Sequence, residues 1–416
     1  MALIAKISKV LKNKPEIIQR KIINKLPRNV KGKVLRFPKE SVLKKQILNV
    51  IEGYKGKIFI FPPPSCPWGY MFQRPQQIAR ALAKEGNVVF YMVDTSFPHE
   101  PDWYIRGLLE IETNLYLFND NKDGTTLIKS CANEQVFVWQ YWPHQLKTIN
   151  NWEGLYTNLF KIYDCIDYID TFDTYDNILK DFEKSVVDCN CLLATAKSIK
   201  NDLSIFNKDV LYLPNAVMIE DFMNYDLFDW PELEKVKAAD KKIIGYYGAI
   251  AEWFDFDTVK YIAKSNPDWT IVLVGEVYPT VEMQVEELKQ IGNVEVLKRV
   301  SYNKIPHLLS LFDVAILPFL INEITLSTSP VKVFEYLAGG KCVVSTPLPE
   351  VLEIEGIFIG DTKEEFEKQV KVALNIGAEM NHLEKLRNIA EQHTWQKRVK
   401  KILDIFERKY EKNSNF

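Results

Sequence analysis

The sequence predicts an α/β protein with two parallel-sheet domains, preceded by a basic helical N-terminal arm. Three observations predict it. With 416 residues the chain is long for one hydrophobic core and ordinary for two. From about residue 57 onward, apolar runs of strand length alternate with segments of helical spacing, and the runs are continuous, as in strands buried on both faces. The first 57 residues hold 16 Lys and Arg against 3 acidic residues, whereas the remainder holds 37 against 52.

The basic arm, residues 1–53, carries apolar positions at helical spacing. They are Leu3, Ile7, Val10 and Leu11, then Ile18, Ile22 and Leu26, then Val42, Leu43, Ile47 and Ile51. Pro15, Pro27 and Pro38 cut it into short amphipathic pieces. Such pieces suit an anionic membrane surface through residues 1–50, or packing on the body or on another subunit. No nucleic-acid-binding motif accompanies the charge, so nucleic acid is not an expected partner. No stretch approaches the ~18 apolar residues of a membrane span, and Ala2 to Ala5 is too short for a signal-peptide core. Six cysteines lack paired spacing, which fits reduced thiols in the cytoplasm, with peripheral attachment to the inner face of the membrane as an option.

The first domain is expected over 54–215. Lys57 to Phe61 reads as its opening strand, stopped by Pro62, Pro63 and Pro64. A loop through Gly69 leads to a helix from Arg74 to Lys84 and the strand Val88 to Val93, a βαβ unit. Gly69 can let backbone approach a ligand or simply make a turn. Arg74 can face a binding cleft or pair on the surface. Phe160 to Asp167 reads as a strand ending in carboxylates, where Asp164 and Asp167 either act on hydroxyls or cap the next helix. Val210 to Leu213 closes the domain.

The second domain is expected over 216–394. Lys242 to Tyr247 is a strand ending at Gly248, and Asp255 or Asp257 caps the helix that follows. Trp269 to Val274, Val294 to Leu297 and Val314 to Phe319 are further strands. The loop Leu320 to Ser329 is longer than a bare connection requires and rich in Ser and Thr. Ser329 reads as a helix N-cap and Pro330 as the first helical position, with Gly339 and Gly340 as the left-handed stop. Free amide groups at this helix start would form an anion site at the carboxyl end of the sheet. Lys332 and Glu335 share one face of the helix and flank that site, although their spacing also allows an ordinary surface pair. Neither a Walker loop nor a Gly-x-Gly-x-x-Gly fingerprint occurs.

Residues 329 to 346, Ser-Pro-Val-Lys-Val-Phe-Glu-Tyr-Leu-Ala-Gly-Gly-Lys-Cys-Val-Val-Ser-Thr, resemble the nucleotide-binding signature of the GT-B glycosyltransferases, in particular retaining family four. Gln73 to Gln77 and Pro214 to Val217 resemble further segments of that group. The resemblance implies two Rossmann-like domains facing a cleft, with the last helix, 395–416, crossing back to the first domain. It implies transfer of a sugar from a nucleoside diphosphate sugar to a glycan or lipid-linked acceptor in bacterial surface polysaccharide assembly, retaining, without metal or cofactor. Glu335 would contact ribose, while Lys332 and the helix start would hold the diphosphate. Gly69, Arg74, Gly248, Lys298, Arg299, Ser327, Thr328 and Ser329 complete the expected donor site, and Asp164, Asp167 and Lys332 the expected catalytic set. Departures are visible. Ser327 stands where the family has its first glutamate, the loop Gly248 to Trp253 lacks the usual cation, and Lys298 replaces a glycine. A nucleotide-sugar epimerase of the same fold and a non-catalytic glycan- or nucleotide-binding subunit are the rival readings.

Overall fold

A computed structural model describes residues 37–63, 66–69, 72–93, 105–156, 158–168, 175–238, 241–377 and 380–413. The expected helical series from Leu3 to Leu26 lies outside the described residues. The chain divides into two compact units, Met1–Ile162 with Asp188–Asn190, and Tyr163–Val187 with Cys191–Phe416.

In the first unit five strands, β1 (Ile58–Phe61), β2 (Val88–Met92), β3 (Gly107–Glu112), β4 (Leu115–Asn119) and β5 (Val136–Gln140), run in the order β3-β4-β2-β1-β5. All neighbours are parallel except β3 and β4. Every residue of β1, β2 and β5 is buried, which is why these segments read as unbroken apolar runs. Arg74–Lys84 forms the expected helix, its start tied by a reciprocal pairing of Gln73 and Gln76.

Of the placements open to the last apolar series of the arm, the structure shows packing on the body. Glu40–Ile51 is a helix whose Leu43, Ile47 and Ile51 are buried in one cluster with Ile58, Val88, Phe90 and Val136. The last apolar series of the arm therefore belongs to the core of the first unit. Burying each such side chain contributes about 1.5 to 3 kcal/mol, more than an interfacial helix gains by leaving a formed core.

β6 (Leu159–Cys165) crosses the division between the units. In the second unit β7 (Cys191–Ala194) and β8 (Val210–Tyr212) pair in parallel. A six-stranded sheet follows, built from β9 (Lys242–Tyr247), β10 (Trp269–Gly275), β11 (Val294–Lys298), β12 (Val314–Leu317), β13 (Cys342–Ser345) and β14 (Ile357–Ile359). Its order is β11-β10-β9-β12-β13-β14, parallel throughout. The reversal of direction falls between β9 and β12, the place where open α/β sheets gather ligands beyond their carboxyl ends. Trp395, Val399, Ile402 and Phe406, a stripe at helical spacing on Trp395–Asn413, are all buried. The architecture is α/β with two parallel-sheet Rossmann-like domains.

Candidate functional site

The six-stranded sheet presents its switch point through the end of β9 and the helix Val331–Ala338. β9 ends in Tyr246 and Tyr247, and the chain then turns at Gly248 with φ +139°, a conformation open to glycine. Gly248 lies against two neighbours. Its N–H donates to the Val274 carbonyl at 2.9 Å, and a β-carbon on Gly275 would collide with the Gly248 carbonyl oxygen. On the other side a β-carbon on Gly248 would collide with Cε of Lys332 and lie 2.7 Å from its Nζ. The lysine stem thus lies across the glycine backbone, with Nζ 5.9 Å from the centroid of the Tyr246 ring.

Lys332 and Glu335 do not form the surface pair that their spacing allows; among the described residues the Glu335 carboxylate is engaged by Tyr247, whose hydroxyl donates to Oε2 at 2.7 Å. Glu335 is 4% exposed. Burial pushes its carboxyl up to about 7, against the Tyr247 donor and the Lys332 cation, which favour the charged form. Burial also pulls the Lys332 ammonium below its ordinary range, with Glu335 opposing. Glu335, which would be inert on a surface, is thereby held close to its charge transition near neutral pH. Tyr336, next along the helix, accepts the Tyr247 N–H at 3.3 Å and meets its ring edge-on at 5.1 Å.

The helix start departs from expectation. Pro330 is the N-cap, in extended conformation, and helix begins at Val331. Ser329 does not cap: its hydroxyl accepts the Asn215 N–H at 3.1 Å, and its carbonyl accepts Nδ2 of Asn215 at 2.5 Å. Pro cannot donate an N–H, so little is lost by leaving Pro330 at the cap, and the serine instead fastens the loop. The Pro214-Asn215 segment is pinned by Arg398, whose Nε donates to the Pro214 carbonyl at 3.1 Å. Ser327 and Thr328 both donate their hydroxyls back to the Ile324 carbonyl, at 2.9 and 2.8 Å, so they shape the loop. At the helix end Gly340, at φ +69°, supplies the left-handed residue, while Gly339 stays right-handed.

The other expected positions sit on other elements of the fold. Lys298 is the exposed last residue of β11, and Arg299 beside it pairs with Glu276 at 3.6 Å. Asp255 is the N-cap of the helix Phe256–Ser265, its carboxylate accepting the Thr258 N–H at 2.9 Å and its hydroxyl at 2.6 Å. Asp164 is fully buried within β6. Asp167 follows the strand partly buried, and desolvation pushes its carboxyl up to about 7. Neither aspartate stands at the start of the next described helix, Ile178–Asp188, so neither caps it. Gly69 has φ +86°, which only glycine adopts without strain, and Arg74 is buried at the first position of its helix. Sequence reasoning passed over Tyr247 and Gly275. The signal for the first was the Tyr-Gly pair at a strand end, and for the second a glycine ending the neighbouring strand.

Residues 241–375, the six-stranded unit without its closing helices, match the family model described as glycosyl transferases group 1. Over 293 residues the chain is 25% identical to TuaH of Bacillus subtilis (strain 168), covering 66% of this chain and 72% of TuaH. The name of that protein assigns it provisionally as a teichuronic acid biosynthesis glycosyltransferase. Among solved structures, the sucrose-phosphate synthase of Thermosynechococcus elongatus superposes with TM-score 0.61 at 13% identity, covering 86% of this chain and 99% of its own. Anabaena HepE, in complex with UDP and glucose, superposes with TM-score 0.58 at 13% identity, covering 85% and 100%. These likenesses show the fold, the two-domain Rossmann-like class called GT-B.

Proposed function

We propose that this chain, a glycosyltransferase by the match of residues 241–375, moves a sugar from a nucleoside diphosphate sugar to a glycan or lipid-linked acceptor in bacterial surface polysaccharide assembly. The reaction proceeds with retention and without metal or cofactor, in the cytoplasm, with the basic N-terminal segment attached to an anionic membrane surface. The observation that carries the reading is the Lys332 ammonium laid over the Gly248 backbone beside buried Glu335. A cation with its stem desolvated and its head at a glycine turn suits phosphate oxygens, because the glycine lets backbone and ligand approach closely. A buried carboxylate with one oxygen already engaged keeps its other oxygen as an acceptor for a sugar hydroxyl.

In this mechanism Lys332 neutralises the charge that accumulates on the diphosphate as the glycosidic bond breaks. Glu335 holds ribose equally in ground and transition states. Asp167, whose carboxyl sits close to neutrality, is matched to exchange a proton with a hydroxyl at physiological pH. The relation to TuaH supports a surface-polymer acceptor, and the UDP and glucose of the HepE complex support a nucleotide-sugar donor.

A thermal-shift screen against UDP, GDP, dTDP and their sugars tests the reading. A bound ligand at about 100 times its dissociation constant stabilises by about 2.7 kcal/mol. Transfer to an added acceptor is then expected with the donor that stabilises. Conversion of donor without acceptor would replace transfer by epimerisation, and silence toward every nucleotide would overturn the enzyme site placed at Lys332 and Glu335.

A further inference from the structure

The hydroxyl of Tyr247 reaches Glu335 from a different element of the fold, the last residue of β9 against the middle of the helix Val331–Ala338. Tyr247 itself is held twice more. Its N–H donates to the Tyr336 hydroxyl at 3.3 Å, and its ring packs edge-on against that of Tyr336. The phenol is therefore rigid, and it is aimed at one oxygen of one carboxylate. Burial keeps it protonated far above neutral pH, so it remains a donor under all working conditions.

We infer that Tyr247 is a positioning residue for nucleotide recognition, whose hydroxyl fixes the orientation and the ionised state of Glu335 and thereby sets the pH range over which the chain holds a nucleoside diphosphate. This rests on the assignment of Glu335 to ribose. A carboxylate can accept from Tyr247 through Oε2 and from a ligand hydroxyl through Oε1. A protonated carboxyl gives up acceptor capacity on one oxygen and no longer makes charge-assisted bonds.

The groups around Glu335 set the balance. On its own helix Lys332 favours the charged form, and from the segment Glu220–Met223 Asp221 disfavours it. Tyr336 and Tyr247 are neutral phenols held protonated by burial. The helix Met380–Gln392, packed along the same helix, places Arg387 beside Gly340, past the helix end. β13 contributes Cys342, a thiol that burial keeps neutral. Tyr247 is the one group of this set that donates a hydrogen bond to the carboxylate, and its contacts with Tyr336 hold it in place.

Calorimetric titration with UDP, GDP and dTDP from about pH 5.5 to 8.5 brackets the carboxyl and tests the inference on the full chain. Parent affinity is expected to rise with pH through about 7, as Glu335 ionises. Tyr247→Phe keeps the ring and its packing; it should bind about tenfold more weakly at neutral pH and shift the midpoint upward. Glu335→Gln should bind weakly with a flat profile. The NMR shift of the Glu335 carboxyl carbon, assigned by its loss in Glu335→Gln, should titrate later in Tyr247→Phe than in the parent. A Tyr247→Phe protein with the parent midpoint and parent affinity overturns the inference while leaving the ribose assignment standing. Failure of all three nucleotides to bind the parent overturns the ribose assignment, and the inference with it.

Discussion

Gly248 and Lys332 occupy space that only one β-carbon could share: a side chain at Gly248 would collide with Cε of the lysine and come within 2.7 Å of its Nζ. The backbone there is at φ +139°, unfavourable for any L side chain. Gly248→Ala therefore costs strain and expels the ammonium from its place over the Tyr246 ring. The expected outcome is a fall in turnover of about tenfold or more with the fold retained, from the loss of one electrostatic contact in the transition state. Circular dichroism and a donor-consumption assay check it. Parent-like turnover in a folded Gly248→Ala protein would remove Lys332 from the chemistry.

Asp255 and Asp257 superficially match the metal-binding Asp-any-Asp of another glycosyltransferase fold, yet the Asp255 carboxylate is committed to the Thr258 N–H and hydroxyl. Asp255→Ala is expected to lower stability by about 1 kcal/mol, the usual worth of an N-cap, read by denaturant melting. Activity is expected to survive a chelator. A requirement for added manganese, abolished by Asp255→Ala, would move the diphosphate to these aspartates.

Much of the fold is legible in the sequence. The helix Arg74–Lys84 and the strand Lys242–Tyr247 carry their boundaries in Pro, Gly and apolar periodicity, which act locally. What the sequence hid depends on distant partners. Ser329 looks like a cap because caps are local, but Asn215, far away in sequence, claims its hydroxyl. The Lys332 and Glu335 spacing suggests a pair; it is broken because β9 brings Gly248 to one and Tyr247 to the other. Likewise the stripe Leu43, Ile47, Ile51 has the same period whether it meets lipid or protein, and the core of the first unit, supplied from distant parts of the chain, decides which.

Asp167 gives a pH signature. Burial raises its carboxyl from the ordinary 3.8 to about 7, so between those values the folded chain holds the proton more tightly than the unfolded chain. Stability contributed by this group accordingly falls as pH rises through that window and stays low above it. Asp167→Asn, neutral at every pH, should melt higher than the parent at about pH 8 and lose that advantage toward about pH 4. Scanning calorimetry at the two values decides; an advantage that does not shrink with falling pH would mean that Asp167 is ionised in the folded protein.

Residues 1–36 hold 11 Lys and Arg against one acidic residue, and each cation near an anionic surface contributes about 1 kcal/mol, weakened by salt. Deletion of 1–36 spares Leu43, Ile47 and Ile51 and so leaves the first core intact. The full chain should sediment with anionic vesicles at low salt, and the deletion should not. Equal sedimentation of both would locate any membrane contact elsewhere.

Lys332 and Glu335 give separable effects. Charge on the diphosphate grows only as the sugar bond breaks, so a cation that answers it acts more in the transition state than in binding. Lys332→Ala should depress turnover while changing the dissociation constant for the free nucleoside diphosphate by less. Ribose is the same before and after the bond breaks. Glu335→Ala should therefore weaken binding of the nucleoside diphosphate itself by about 1.5 to 3 kcal/mol, the worth of a hydrogen bond to a charged group, with turnover at saturation largely kept. Burial sharpens the second effect, because Tyr247 would then present its hydroxyl to a cavity. Steady-state kinetics with calorimetry on both variants separates the two. If both variants bind and turn over as the parent does, the conjunction of Gly248, Lys332 and Glu335 serves the packing of β9 against its helix and the donor site lies elsewhere.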